Sequence, residues 1–78
     1  MINWRQYLTS NPEVCHGQLC ARDTRVLVTV ILDSLAAGST RQEILESYPS
    51  LKPEHLDAAI AYAAELAREE SLFPLAGL

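Results

Sequence analysis

From residue 28 onward the apolar positions of the chain recur at helical spacing. Val28, Ile31, Leu32, Leu35 and Ala36 fall at i, i+3, i+4, i+7 and i+8, one stripe of an amphipathic helix expected over 28–37. Gly38 then stands where a left-handed C-terminal cap is expected. Ser39 with Gln42 and Thr40 with Glu43 both have capping-box spacing, so either residue can open a second helix over 40–47. That helix offers Ile44, Leu45 and Tyr48 to a core, and it must stop near Ser47 because Pro49 disfavours the α region for Tyr48. Leu51 plugs the loop that follows, and Pro53 opens a third helix over 53–70 with Glu54 and Asp57 near its positive end.

The third helix reads as having two faces. Leu56, Ala59, Ile60, Ala63, Leu66 and Ala67 form the expected core stripe. Glu54, Ala58, Ala61 and Glu65 lie opposite, flanked by Tyr62 and Arg68. Two alanines on a solvated face admit two readings, high helix propensity or a second contact face that lets another helix approach closely. With Leu72 and Phe73 of an apolar tail over 71–78, the second reading makes Ala58, Ala61, Tyr62 and Glu65 a dimer or partner face.

Upstream of residue 28 the pattern is shorter and more broken. Trp4 and Tyr7 belong to a short turn or helix; 8–10 and 19–21 read as strands of a small hairpin, with turns expected at Asn11-Pro12 and at His16-Gly17-Gln18. The whole is one domain, a β segment over 1–25 followed by three helices. Its fold class is mainly α, with the helix order of a tri-helical helix-turn-helix and a short N-terminal β-hairpin.

Composition narrows the function classes. With 78 residues, a single core only marginally offsets chain entropy, so a partner subunit is expected. No run approaches the roughly 20 apolar residues of a membrane span, and the start lacks the pattern of a secretion signal. The chain is therefore expected to be soluble and cytoplasmic, away from membranes. Cys15 and Cys20 are too few for a disulfide scaffold, and nothing in their number requires an oxidising compartment. They read as hairpin or core cysteines, with a redox pair or a metal site as the other readings; His16 and His55 do not complete a four-ligand zinc set. No nucleophile–base arrangement and no Gly-rich phosphate loop stands out, so no enzyme activity, cofactor or small-molecule substrate is expected.

The net charge of −4 is uneven: 1–25 carries +1, 26–52 carries −1 and 53–78 carries −4. This works against DNA reading by the third helix, since carboxylates repel phosphates and base edges are usually read by Arg, Lys, Asn or Gln. If DNA is bound, the expected contacts are Arg41, Gln42, Lys52 and His55 around the interhelical turn, or Arg22 and Arg25 beside the hairpin. Each also reads as a solvated or structural side chain.

The segments "NPEVCHGQLCARDTRV", "ILDSLAAGSTRQEILESYPSL" and "HLDAAIAYAAE" together resemble the bacterial family catalogued as domain of unknown function 433. Gly17, Thr24, Arg25, Gly38, Glu43, Ile44, Leu45, Tyr48, Pro49, Leu51, Ala59 and Tyr62 match its pattern. The resemblance implies a homeodomain-like helix-turn-helix with an N-terminal β segment. It also implies an antitoxin-like role beside a PIN-like ribonuclease toxin, and with the small size and the Ala58–Ala61–Tyr62 surface it suggests a homodimer. An autonomous DNA-binding regulator is the alternative.

Three positions depart from the family pattern. Asp23 stands where the family has Gly, and Leu27 where it has Pro. Asp tolerates positive φ better than most residues, so a turn can survive there. Lys52 replaces the usual Ser or Thr before Pro53 and forfeits a side-chain N-cap, a loss of about 1 kcal/mol.

Overall fold

The computed structural model describes residues 2–69; the tail over 71–78 lies outside the described residues. A single 3₁₀ turn, Trp4–Gln6, leads into strand β1, Leu8–Ser10. A four-residue helix α1, Pro12–Cys15, connects it to strand β2, Leu19–Ala21. Then come α2, Val28–Ala36, α3, Arg41–Ser47, and the long α4, Pro53–Glu69. The protein is a mainly helical domain in which three helices follow a two-stranded antiparallel hairpin.

Local chemistry accounts for each boundary. The Asn11 side chain accepts the Glu13 N–H at 2.9 Å and Pro12 takes the first helical position, so Asn11-Pro12 opens a helix instead of the expected simple turn. His16 (φ 53°) and Gly17 (φ 81°) reverse the chain in the left-handed region and feed β2. The strands pair with Leu8 opposite Ala21, Thr9 opposite Cys20 and Ser10 opposite Leu19. After β2 the chain turns sharply. The Thr24 N–H bonds the Ala21 carbonyl at 3.1 Å, and the Thr24 hydroxyl donates to that carbonyl at 2.8 Å while accepting the Val26 N–H at 3.0 Å. Asp23 occupies this turn at φ 66°, the conformation a glycine adopts without strain. The returning chain pairs again along β2, the Ala21 N–H meeting the Val26 carbonyl at 2.9 Å.

α2 ends at Gly38 (φ 95°) in a Schellman motif: the Ser39 N–H reaches the Ser34 carbonyl at 3.0 Å and the Gly38 N–H the Leu35 carbonyl at 3.0 Å. Of the two spacings compatible with a capping box, Thr40–Glu43 forms it. Glu43 accepts the Thr40 N–H at 2.7 Å and Thr40 accepts the Glu43 N–H at 3.1 Å. These bonds hold the Glu43 carboxyl below its ordinary pKa. α3 stops at Ser47, and Tyr48 leaves the helical region ahead of Pro49.

The core gathers Leu8 and Ala21 of the hairpin, Val28 and Ile31 of α2, Ile44 of α3, the loop residue Leu51, and Leu56, Ala58 and Ala59 of α4. Two readings of the sequence change here. Ile60 and Leu66, expected in the core stripe of the last helix, are exposed at 41% and 39%. Ala58 and Ala61, expected at a partner face, are buried at 0% and 5% within the chain itself. The reason is a second covering layer: the N-terminal 3₁₀ turn lies along α4, with the Trp4 ring meeting Tyr62 edge-on at 4.9 Å and Arg5 3.8 Å from Glu65. Helix periodicity alone cannot reveal a face covered by a short turn from the far end of the chain. Cys15 and Cys20, both buried, are joined as a disulfide between the end of α1 and β2.

Candidate functional site

Several candidate residues are consumed by bonds within the fold, whether or not they lie at the surface. Arg22, though exposed, is consumed. Its backbone N–H bonds the Tyr7 carbonyl at 2.7 Å, and its guanidinium donates to the carbonyls of Gln6 (3.1 Å), Arg5 (3.2 Å) and Leu8 (3.3 Å). A planar fork suits this work, since several donors can meet neighbouring carbonyls at once. The side chain expected to contact phosphate instead ties the 3₁₀ turn and β1 to the end of β2.

His55 is consumed as well. It is only 6% exposed, against the expectation of a solvated first-turn residue or a DNA contact. Its Nδ1 accepts the Lys52 N–H at 2.9 Å, while the Lys52 carbonyl receives the His55 N–H at 2.9 Å. The ring thereby takes the part that Glu or Gln plays three residues into a capping box, and offsets the missing side-chain cap at Lys52. The other side of the ring faces the Arg22 backbone carbonyl, and Tyr7 approaches edge-on with centroids 6.4 Å apart. Burial lowers its pKa from the ordinary 6.5, more than the Arg22 carbonyl and the carboxylates of Glu54 and Asp23 raise it; the Lys52 charge adds to the lowering.

Arg41 bridges two helices, one guanidinium nitrogen lying 2.6 Å from Asp57 of α4, and both side chains are about half exposed. Arg25, Gln42 and Lys52 are exposed. Two shallow clefts flank the Asp23 turn. One, of about 370 Å³, is lined by residues including Thr9, Asn11, Thr24 and Arg25. The other, of about 380 Å³, lies between Tyr7, Asp23, Ser50, Lys52, Glu54 and His55. Both mix the two signs of charge, and among the described residues no group of three His, Cys, Asp or Glu side chains is placed to hold a metal ion.

The partner face read from the sequence is dispersed. Ala58 and Ala61 are inside, Tyr62 and Glu65 are half-buried against Trp4 and Arg5, and Leu72 and Phe73 lie outside the described residues. Among the described residues the exposed large hydrophobic side chains are Ile60 and Leu66, on α4, which also exposes Glu54, Asp57, Arg68 and Glu69. The signal that could have exposed the error was Trp4 and Tyr7, two aromatics too close to the start to show a period but large enough to need a surface to cover. No helix among the described residues is long and apolar enough to cross a membrane.

The same fold is found in known proteins. A crystal structure of a DUF433 member protein from Anabaena variabilis ATCC 29413 superimposes with a TM-score of 0.70 at 32% identity, covering 80% of this chain and 61% of that one. An uncharacterized protein, y4eO, of Sinorhizobium fredii (strain NBRC 101917 / NGR234) is 39% identical over 59 residues. That match takes in 76% of this chain but only 27% of the relative, so the chain spans about a quarter of that protein's length. The family described as "protein of unknown function (DUF433)" matches residues 8–63, from the first strand through most of α4, and the chain belongs to it.

Proposed function

We propose that this chain is a non-enzymatic, antitoxin-like protein that acts in the cytoplasm as a homodimer, binding a PIN-like ribonuclease toxin and, through its exposed Arg and Lys side chains, operator DNA. The observation that carries the reading is the pair Ile60 and Leu66, exposed aliphatic side chains on a helix whose exposed charges are Glu54, Asp57, Arg68 and Glu69, acidic on balance. A ribonuclease holds anionic substrate in a cationic cleft, and an acidic helix with two aliphatic anchors is complementary to such a surface. Support for a non-catalytic role comes from His55, which is 6% exposed and has its Nδ1 lone pair taken by the Lys52 N–H, so that it is not poised as a general base. DNA contact falls to Arg25, Gln42 and Lys52, with Arg41 shared with Asp57.

The test is co-expression with the ribonuclease encoded beside it. The wild-type chain is expected to co-purify and inhibit the nuclease, and Ile60→Asp with Leu66→Asp to weaken binding at least about tenfold while the far-UV circular dichroism is kept. Unchanged affinity in that variant removes the α4 surface from the reading. A chain that ignores the nuclease but binds its own promoter with a steep salt dependence, lost in Arg25→Ala and Lys52→Ala, is instead an autonomous regulator. A monomer in sedimentation at tens of micromolar removes the homodimer.

A further inference from the structure

His55 joins two parts of the chain that no covalent link brings together, and it does so with one protonation state of its ring. At one end Nδ1 takes the Lys52 N–H at 2.9 Å, which requires a lone pair on Nδ1. That lone pair makes the neutral ring the Nε2–H tautomer, and its other side borders the cleft that it lines together with Arg22 and Asp23. Lys52 leads into α4, and Arg22 opens the strained turn that closes β2, so the ring spans the junction between the hairpin and the last helix.

We propose that His55 is an acid-sensitive latch that fastens the Arg22–Asp23 turn to the start of α4, and that protonation of its ring opens the cleft between them. Adding a proton to Nδ1 turns an acceptor into a donor and sets it against the Lys52 N–H. The cap on α4 is then lost, and the ring gains a charge in a site where it is 6% exposed. The charged groups facing the ring are Lys52 and Glu54 from the start of α4, and Asp23 and Arg22 from the turn, with the Tyr7 ring edge behind. Asp23 and Glu54 line the cleft beside the ring and are natural partners for an imidazolium that swings out of the junction. The latch does not depend on the partner proposed above, because it is built wholly from this chain.

Its direction follows from linkage. The folded state holds the ring below its ordinary pKa of 6.5, so the unfolded chain binds the proton more readily. The stability contributed by the latch is present above pH 6.5 and is lost as the pH falls through the folded value.

The experiment uses the full chain, with ring ¹⁵N–¹H and backbone amide spectra followed from pH 8 to pH 4.5. The latch requires His55 to be the Nε2–H tautomer at high pH and to titrate below the ordinary 6.5, and the Lys52 and Asp23 amides to shift with the His55 midpoint. Between pH 7 and pH 5 the Tm should drop by roughly 4–8 °C. His55→Gln, which keeps an acceptor at the cap but has no proton to gain, should flatten that drop. An Nδ1–H tautomer, a His55 midpoint at or above 6.5, or amides at Lys52 and Asp23 that ignore the His55 midpoint overturns the proposal, even if the Gln variant fails to fold.

Discussion

Asp23 holds a backbone conformation that suits glycine, at φ 66° in the turn after β2. Replacing it with Gly relieves strain, whereas a β-branched residue raises it. Asp23→Gly is expected to be neutral or stabilising in urea unfolding and Asp23→Val to cost about 1–2 kcal/mol. Next to it, Arg22 bonds three carbonyls through its side chain, and Lys cannot reproduce the fork. Arg22→Lys should lower stability by about 1 kcal/mol, read as a shift in the urea midpoint without a change in slope. One practical result is that Arg22→Ala is a poor probe of DNA contact, since any loss of affinity would mix with loss of structure. Arg25 and Lys52, which the fold leaves exposed, are the clean probes.

The elements owe their limits to short-range chemistry, and this is where the sequence was most legible. Gly38 followed by Ser-Thr, with Glu43 three residues after Thr40, encodes both the stop of α2 and the start of α3 in six residues. Gly38→Ala, forcing a Cβ at φ 95°, should cost about 1–2 kcal/mol, and loss of the hydroxyl in Thr40→Ala about 1 kcal/mol, both measurable by thermal melts. α1 was less legible because Asn11-Pro12 begins a turn and a helix with the same residues, and only the following bonds decide between them. The facing of α4 was least legible. Its apolar residues cover too much of the circumference to define one stripe: Leu56 and Ala59 lie in the core while Ile60, adjacent to both, is exposed. His55 shows the same limit at single-residue scale, since its role rests on the Arg22 carbonyl, thirty-three positions away in the chain.

At the scale of the whole molecule, the Arg22 fork binds the 3₁₀ turn and β1 to the end of β2, and the packing of Trp4 on Tyr62 and the place of His55 beside the Arg22–Asp23 turn join that N-terminal unit to α4. The Cys15–Cys20 disulfide adds a constraint within the hairpin. The number of cysteines had implied no disulfide requirement, because a count says nothing about whether a turn brings two side chains together. Cys15→Ser with Cys20→Ser is expected to lower stability by roughly 2 kcal/mol under oxidising conditions and much less in reductant, and thiol counting before and after reduction checks the pairing. The placement of the Trp4–Gln6 turn has a consequence for anyone handling the protein. It acts as a built-in cover: trimming it, or forcing it off with a bulky fusion at that end, would bare the flank of α4 at Tyr62 and Glu65 and leave it sticky. A tag at the N-terminus could then manufacture the very self-association that a binding assay sets out to measure.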